Sequence, residues 1–590
     1  MTSAWNLDRG RTMHDLVIRN GRVVDGAETP AFLADIAIDN GKITAVGRIP
    51  QAGRREIDAG GLIVTPGWVD IHTHYDGQVT WDPYLAPSSW HGVTTAVMGN
   101  CGVGFAPVRP DRHAWLIELM EGVEDIPGAA LSEGIQWTWE TFPQYLDSLE
   151  GQPRVIDVAT QVPHGAVRAY VMGERGARNE PATAEDIAEM SRIVGEGVAA
   201  GALGFSTSRT MLHLAKDGEP VPGTFAAEDE LLGIGRAMGQ AGHGVFEMAS
   251  DMAPAEDEFN WMRSLSVETG VPVTFGLLQS PVKADGWRRL LQLTEEARAQ
   301  GAQIPAQIAC RPTGMVLGWQ STVHPFIGRD TYRKLAALPF AERIVQLRDA
   351  EVRARILAEP SRPMGAIGMI LTQGFDRMFR LEHAGGLDYE PRAEDSIAAL
   401  AKTTGQAPDA IVYDMLMEKD GQGYIYLPLL NYAEFNFDHI HEMMTHSNTV
   451  LSLSDGGAHC GVICDASFPT YMLTHWVRDR SRGARLSLEK VVSMQTRDTA
   501  RLYGLHDRGT LAPGMKADLN LIDFEKLAIL APEMAFDLPA QGRRLIQRAQ
   551  GYVATIVEGV VTFENGEATG EMPGRLIRGP QAAPMAQAAE

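Results

Sequence analysis

The sequence is poor in cysteine and contains no apolar stretch of membrane-spanning length. Only four cysteines occur in 590 residues, which is too few for a disulfide framework in a chain of this size. The first residues, "MTSAWNLDRGRTMHDL", lack the apolar core of a signal peptide. No apolar run is long enough to cross a bilayer. These absences favour a cytoplasmic protein that makes no contact with a membrane.

Positive charge is also in short supply. The chain has 52 lysines and arginines against 75 acidic residues, which gives a formal net charge of −23. Such a balance argues against nucleic acid or an anionic membrane as a partner. A length of 590 residues exceeds one compact core, unless that core is a large α/β barrel with an added module. The sequence does not specify whether the chain forms an oligomer.

The two ends of the chain have the same β character. Four turn-forming pairs that predict β-hairpins lie there, namely Asn20-Gly21, Asn40-Gly41, Glu558-Gly559 and Asn565-Gly566. Neither end alone supplies enough strands to bury a face. We therefore predict one small β-sandwich built from residues 1–64 and 508–570, followed by a loose tail at residues 571–590.

Strand and helix signals alternate between these ends. The segments "RVIDVATQVPHG" and "GVPVTFGLLQ" predict buried strands. Thr183 can cap a helix that Asp186 supports in its first turn and Gly201 ends. Repeated βα units favour an α/β fold with a (β/α)₈ TIM-like barrel over residues 65–507, with a doubly wound sheet as the alternative. Residues 312–430 are too long for one loop and predict a helical insertion over the barrel mouth.

The segment "TPGWVDIHTHYDG", residues 65–77, ends an apolar run with two histidines. On a strand, positions i and i+2 point to one face, so His72 and His74 would project together. Two imidazoles at a strand end suit a divalent metal such as zinc. Two ordinary loop histidines would give the same letters, so this motif alone does not decide between a metal site and none.

Two further strand ends carry possible metal ligands. In "TVLSLSDGGAHCG" an apolar run ends at Asp455, and two glycines let the backbone turn there. In "TAVMGNCGVG" a strand ends at Cys101 among glycines. An Asp-Gly turn and a small buried core residue are the competing interpretations of these two residues.

Five segments together resemble the amidohydrolase superfamily, and within it the N-acyl-D-amino-acid deacylase (D-aminoacylase) branch. They are "TPGWVDIHTH", "GNCG", "GALGFST", "SDGGAH" and "TARLYGLHDRGTLAPGMKADLNLID". The resemblance implies a (β/α)₈ barrel whose metal is held by His72 and His74 from the first strand and Asp455 from the last. It further implies that Cys101 is a metal ligand and that Asp455 is the general acid/base.

The sequence departs from this branch on its fifth and sixth strands. The branch usually carries a histidine after the fifth strand and His-His-Lys after the sixth. Ala249, Leu277 and Gln279 stand in the corresponding places, and alanine and leucine cannot bind metal. We therefore predict one zinc per active site. Glu247 on the fifth strand is either an additional ligand or a buried structural carboxylate.

The expected reaction is hydrolysis of the C–N bond of an N-acyl amino acid or a similar small amide. The alternatives are a hydrolase of a different small amide, cyclic amide or carbamate, and a binding protein that has lost catalysis. Arg209 and Arg311 are candidates to clamp a substrate carboxylate, and His164 and Gln279 to line the pocket. A structural ion pair for the arginines and a buried core position for His164 are the competing interpretations. The acyl group and the chirality of the substrate are not encoded in any recognisable motif.

Overall fold

The computed structural model describes residues 13–585, and its centre is a set of parallel strands. We number these strands first to eighth in chain order: Trp68–Asp70, Val93–Met98, Asp157–Thr160, Gly204–Arg209, Val245–Ser250, Val273–Gly276, Ala306–Ile308 and Thr449–Leu451. The third strand resumes after Gln161 as Val162–Pro163, which pairs with the fourth. All neighbouring pairs in this order are parallel. Their carboxyl ends therefore share one edge, the carboxyl edge, and their amino ends the other, the amino edge.

Helices connect these strands and make the fold α/β. Their bounds are His113–Glu124, Gly128–Gly134, Phe142–Glu150, His164–Met172, Glu174–Ala177, Ala184–Ala199, Glu228–Ala241, Ala255–Thr269, Gly286–Ala299, Asp438–Thr445, Phe468–Tyr471, Leu488–Gln495 and Arg497–Leu502, with a π-helix at Met472–Asp479. The helix predicted after Thr183 is confirmed. The Thr183 side chain accepts a hydrogen bond from the backbone of Asp186, and the Asp186 side chain accepts one from Thr183 in return.

Strands from both ends of the chain pair in one nine-stranded sheet. Its strands are Met13–Val23, Phe32–Asp39, Lys42–Gly47, Ala52–Asp58 and Ile63–Pro66 from the first part of the chain, and Leu519–Ile522, Tyr552–Val557, Val560–Glu564 and Glu567–Ala568 from the last. The antiparallel pairing of Ile63–Pro66 with Leu519–Ile522 joins the two parts. A separate apolar cluster, which includes Ile18, Ile36 and Leu521, lies against this sheet.

Three of the four predicted hairpin turns are confirmed. Asn40-Gly41, Glu558-Gly559 and Asn565-Gly566 each separate two antiparallel strands, with positive φ at both residues. The hairpin predicted at Asn20-Gly21 is wrong, because these residues lie inside the strand Met13–Val23. The register shifts there between Ile18 and Gly21, so this pair forms a β-bulge. Only Asn20 of this pair has a positive φ, at 60°, and one such residue serves a bulge as readily as a turn.

The long stretch between the seventh and eighth strands carries the predicted helices. They are Asp330–Leu335, Phe340–Leu347, Ala350–Ala358, Gly365–Gln373, Ile397–Thr404, Pro408–Leu416 and Glu418–Gly421. A small sheet of Gly314–Leu317, Ile425–Pro428 and Phe379–Arg380 accompanies them. These elements share their own apolar cluster, which includes Trp319, Phe326 and Leu416.

The prediction of a loose tail at residues 571–590 is wrong for the part that the structure describes. Ile577 is buried and its backbone N–H donates to Val158 at 2.8 Å. Further along, Gln581 forms a bridge to Leu505. The segment has no apolar periodicity, because it is held by pairing with the parallel core and not by an apolar face of its own. Residues 586–590 lie outside the described residues.

A buried cluster of charges sits at the amino edge, where the parallel strands meet the terminal sheet. Asp157 at the start of the third strand accepts from Arg508 Nη1 at 2.6 Å and lies 3.0 Å from Lys516 Nζ. Lys516 also lies 2.7 Å from Asp518. In this cluster each carboxylate faces a lysine or an arginine.

No helix in residues 13–585 is long and apolar enough to cross a membrane.

Candidate metal centre

The carboxyl edge brings the first and eighth strands together. His72 and His74 follow directly after the first strand. The backbone N–H of His74 donates to Gly456 O at 2.7 Å, and Thr73 forms a parallel bridge with Gly456. This pairing places Asp455 beside the two histidines, although almost 400 residues separate them in the chain.

His72, His74 and Cys101 form a buried group whose ligand atoms all lie within 4.8 Å of one another. His72 Nε2 lies 3.3 Å from Cys101 Sγ and 3.5 Å from Asp455 Oδ1. His74 Nε2 lies 3.7 Å from the same aspartate oxygen. Four of the five residues predicted as ligands therefore converge from the first, second and eighth strands.

A hydrogen bond fixes the orientation of the His72 ring. Its Nδ1 lies 3.0 Å from Gln307 Oε1, which also accepts from the Ser452 hydroxyl at 2.5 Å. Because an amide oxygen can only accept, Nδ1 carries the proton. Nε2 is then unprotonated in the neutral ring and faces Cys101 and Asp455, as a metal ligand requires.

Glu247, the remaining predicted ligand, lies behind this group on the fifth strand. Its Oε2 accepts from the Cys101 backbone N–H at 3.0 Å. Its Oε1 lies 4.0 Å from His72 Nδ1, is buried, and has no hydrogen-bond partner. Burial raises the pKa of Glu247 to about 8. One oxygen thus has a structural contact, and the other is available to a cation.

The carboxylates around the centre have no lysine or arginine partner. Asp70, Asp76, Glu124 and Glu247 are buried, and the Asp455 side chain is 15% exposed. Within residues 13–585 none of these five forms an ion pair with lysine or arginine. Burial raises the pKa of Asp70 to about 6 and that of Asp76 to about 7. A buried excess of acid is costly unless a cation compensates it. The donor set therefore fits a divalent metal.

The two imidazoles have different electrostatic surroundings. Burial lowers the pKa of His72 to about 4. Burial acts in the same direction on His74, but Glu124 and Asp455 outweigh it and raise its pKa to about 9. Burial also raises the pKa of the Cys101 thiol well above its ordinary value. A metal that binds Cys101 as a thiolate must therefore displace its proton.

Strained backbone conformations also occur in these loops. Four non-glycine residues adopt left-handed φ angles, namely Cys101 at 56°, Leu453 at 63°, Asp455 at 49° and His459 at 48°. Each such conformation costs on the order of 1 kcal/mol and persists where surrounding structure imposes it. Two of the four are members of the centre itself.

The two arginines predicted to clamp substrate are both engaged within the protein. Arg209 makes two-pronged contacts with Glu258, the shortest at 2.7 Å, and donates to Ala226 O at 2.8 Å. Arg311 is fully buried, donates to Asp465 at 2.8 Å and stacks 3.9 Å from the centre of the Tyr389 ring. These contacts are those of structural ion pairs.

His164 and Gln279 also have internal partners. His164 lies 2.8 Å from Thr207 Oγ1 and 2.8 Å from Glu230 Oε1. The Gln279 side chain accepts from Ala433 N at 2.9 Å and donates to Ala284 O at 3.1 Å. Among the described residues, no hydrogen bond or ion pair joins the side chains of Arg209, Arg311, His164 or Gln279 to His72, His74, Cys101 or Asp455.

The fifth and sixth strands leave their side of the centre poor in ligands. Ala249 and Leu277 offer no donor, and Leu277 is fully buried in the apolar core. The imidazole of His213, in the loop after the fourth strand, nevertheless lies on the side of the fifth strand. His213 Nδ1 lies 3.0 Å from Ser208 Oγ, and Ser208 is the register partner of Ala249.

Glu124, His213 and His459 also lie near the centre, and of these three only His459 could be singled out from the sequence, as a residue that faces or supports the site. Glu124 ends the helix His113–Glu124 and is buried, with Oε1 3.3 Å from His74 Nδ1. His459 Nε2 lies 3.6 Å from the other Glu124 oxygen. His459 follows Asp455 by four residues and so gave a weak signal. Glu124 and His213 gave none, because only the path of long loops brings them here.

Comparison with known proteins gives the family. A sequence profile described as the amidohydrolase family matches residues 55–563, most of the chain. The chain belongs to the amidohydrolase family. It is 25% identical over 567 residues to a D-aminoacylase of Alcaligenes xylosoxydans xylosoxydans, covering 95% of this chain and 97% of that one. It is 26% identical over 602 residues to an N-acyl-D-aspartate deacylase of the same organism, covering 100% of both.

The fold of this amidohydrolase matches that of a solved structure. The crystal structure of the N-acyl-D-glutamate deacylase of Bordetella bronchiseptica, complexed with zinc and a phosphonate inhibitor, superposes with a TM-score of 0.63. The alignment is 23% identical and covers 96% of this chain and 100% of that one. At this identity the likeness establishes a shared fold.

Proposed function

We propose that the protein is a metal-dependent hydrolase that cleaves the C–N amide bond of an N-acyl amino acid or a similar small amide. One observation carries the proposal. His72, His74 and Cys101 lie within 4.8 Å of one another at the carboxyl edge, and Asp455 lies 3.5 Å from His72 Nε2. A metal site next to an ionised carboxylate, which can act as a general base, is an arrangement that catalyses amide hydrolysis.

His72, His74 and Asp455 would hold the metal, with Cys101 as a further ligand. Zinc takes imidazole, thiolate and carboxylate ligands, and the structurally similar deacylase is complexed with zinc. When bound, a divalent metal polarises the scissile carbonyl and makes water more acidic. Ala249 and Leu277 lack donor atoms, which supports one metal per chain.

Asp455 is assigned the proton transfers. Burial acts to raise the pKa of Asp455, but hydrogen bonding to His74 and the electrostatic effect of the neighbouring imidazoles hold it below its ordinary value. The carboxylate is therefore ionised at neutral pH. It can take a proton from the attacking water and give it to the leaving nitrogen. Gln307 keeps the proton of His72 on Nδ1, which orients the ring throughout.

The strand arrangement supports a closed (β/α)₈ barrel with its active site at the carboxyl edge. The bridge between Thr73 and Gly456 connects the segments that follow the first and eighth strands. In barrels of this kind, active sites lie at the carboxyl ends of the strands. We assign residues 65–507 to the barrel, and residues 13–64 and 508–570 to the β-sandwich. Residues 1–12 of the predicted sandwich lie outside the described residues.

The test is metal content followed by substrate screening. Elemental analysis of the wild type should give about one zinc per chain, and His72→Ala/His74→Ala should lose it. The metal-loaded enzyme is then assayed on N-acetyl amino acids of both chiralities, with a cyclic amide and a carbamate beside them. Hydrolysis of an N-acetyl amino acid supports the proposal. Absence of metal after reconstitution at neutral pH, or cleavage of the cyclic amide alone, contradicts it.

A further inference from the structure

Glu124 occupies an unusual position for a buried carboxylate. Its side chain is 2% exposed, and its oxygens face two imidazoles, with Oε1 3.3 Å from His74 Nδ1 and Oε2 3.6 Å from His459 Nε2. Within the described chain it has no ion pair with lysine or arginine. It also ends a helix of 12 residues, where the helix dipole disfavours negative charge. Folding alone gives no reason to bury a carboxylate here.

The backbone around Glu124 is held in place from two directions. The Glu124 carbonyl accepts from the backbone N–H of His459. Asp125, in a left-handed conformation at φ 51°, accepts from Thr322 Oγ1 at 2.8 Å and from Gly461 N at 3.1 Å. The corner at Glu124 is therefore tied to the loop that follows Asp455. Because its backbone is fixed in this way, the Glu124 side chain can determine the positions of the imidazoles that it contacts.

Glu230 shows what a buried structural glutamate looks like in the same protein. It is as buried as Glu124 and also contacts a histidine, since Glu230 Oε1 lies 2.8 Å from His164 Nε2. However, Arg168 Nη1 donates to both of its oxygens, at 2.5 and 2.6 Å. That guanidinium compensates the charge. Glu124 has no such partner, and its nearest neighbour is a residue of the metal centre.

The atom that Glu124 faces, His74 Nδ1, lacks a hydrogen-bond partner. His74 Nδ1 is buried and makes no hydrogen bond of good geometry, although Glu124 Oε1 is only 3.3 Å away. A histidine that binds metal through one ring nitrogen almost always donates the other N–H to a carboxylate, carbonyl or water. A small tilt of the His74 ring would align its Nδ1–H with Glu124 and leave Nε2 on the side of Asp455.

We propose that Glu124 is a positioning residue that orients His74 for metal binding and ties it to His459 and the loop after Asp455. The inference rests on the proposed function, because it needs a metal at His74. It assigns Glu124 no contact with the metal or the substrate. Glu124 would act by fixing the proton on His74 Nδ1 and the direction of Nε2.

The experiment compares Glu124→Ala, Glu124→Gln and the control Glu230→Gln with the wild type. Zinc affinity is measured by competition with a chromophoric chelator, and cobalt(II) absorption reports the ligand geometry. Loss of such an outer carboxylate typically costs 10- to 100-fold in metal affinity. We expect a loss of about this size in Glu124→Ala and a changed cobalt spectrum. Glu124→Gln, which keeps an acceptor oxygen, should recover part of the affinity. Glu230→Gln should lower thermal stability and leave both metal readouts unchanged.

The outcomes separate this inference from the proposed function. If the wild type binds no zinc, the proposed function fails. If the wild type binds zinc and folded Glu124→Ala binds it with equal affinity and an unchanged cobalt spectrum, the inference alone is overturned. The same holds if the wild type binds two zinc ions and Glu124→Ala one, because Glu124 is then a ligand. If Glu230→Gln weakens zinc binding as much as Glu124→Ala does, the effect is one of general stability, which also overturns the inference.

Discussion

Two buried clusters of charge lie at opposite edges of the same parallel strands, and they are built differently. At the amino edge, Asp157 and Asp518 face Arg508 and Lys516. At the carboxyl edge, four buried acidic residues, the partly exposed Asp455 and two buried histidines have no lysine or arginine paired to them in the described chain. The first cluster has lysine and arginine beside its carboxylates, whereas the second has only imidazoles.

The pKa values follow this difference. Burial acts to raise the pKa of Asp157, but Lys516 and Arg508 hold it at about 2. Burial is not offset in this way at Asp76 or Glu247, whose pKa values rise to about 7 and about 8. For Asp157, Asp76 and Glu247, burial therefore gives pKa shifts of opposite sign, according to whether a lysine or arginine lies beside the carboxylate. The contrast indicates that the amino edge is structural and that the carboxyl edge is arranged to receive a cation.

The largest expected effect comes from Asp455→Asn. The amide cannot accept the proton of the attacking water, so kcat should fall by about 10²- to 10⁴-fold, the usual contribution of a general acid/base. The measurement is steady-state kinetics on the N-acetyl amino acid that the wild type hydrolyses. Zinc content and the thermal midpoint are determined in parallel. A folded, zinc-loaded variant with kcat within tenfold of the wild type would exclude this role for Asp455.

Asp157→Asn tests the other cluster. Removal of the carboxylate leaves Arg508 and Lys516 buried with less compensation, so the free energy of unfolding should fall by about 3 kcal/mol. Because the folded pKa of Asp157 lies near 2, against about 3.9 when unfolded, its stabilisation is complete above about pH 4. It is lost as the pH falls through about 2.

Urea unfolding from pH 6 to pH 3 checks this prediction. The gap in stability between the wild type and Asp157→Asn should be constant from pH 6 to about pH 4 and should begin to narrow below that. KM and kcat should not change, because the substitution lies at the amino edge. A variant that keeps its stability but loses activity would reverse the assignment of the two clusters.

Cys101→Ser has a smaller expected effect. A serine hydroxyl is a poorer zinc ligand than a thiolate, so zinc affinity should fall by roughly tenfold or more, no less than the loss of an outer partner costs. Cys310→Ser is the matched control, because Cys310 is also a fully buried thiol and is not a member of the metal-ligand group. Chelator competition compares the two. Equal affinities in both variants would remove Cys101 from the ligand set.

The metal-ligand residues that lie in short motifs could be predicted from the sequence, because their placement depends on local patterns. His72 and His74 share a strand face by their spacing, and glycines mark the turns at Cys101 and Asp455. The βα order and the capped helix at Ala184–Ala199 also follow from local patterns. Such patterns place a residue on an element, and shared strand ends then bring these elements to one edge.

What the sequence did not yield depends on contacts between distant segments. The sequence around Arg209 and Arg311 does not predict their partners. Glu258 lies about 50 residues after Arg209, and Asp465 lies about 150 residues after Arg311. Glu124 reaches His74 only because its helix end is tied to the loop after Asp455. The docking of Ile577 likewise depends on the third strand. A one-dimensional pattern does not contain these pairings.

The smallest expected effect belongs to Arg209→Gln, which asks whether the carboxyl edge has a free cation after all. Arg209 ends the fourth strand, and as a substrate clamp it would bring positive charge to that edge. Its guanidinium is instead occupied by Glu258 at 2.7 Å. We therefore expect KM to be unchanged and stability to fall by about 1 kcal/mol, because the pair is only partly buried. Arg236→Gln, which breaks the exposed pair with Glu268, is the control for charge removal alone. A rise in KM of tenfold or more in Arg209→Gln, at constant kcat and absent from Arg236→Gln, would show that Arg209 leaves Glu258 to bind substrate. The carboxyl edge would then contain an arginine that is free to pair with substrate. The difference between the two clusters would hold only for the residues of the metal centre.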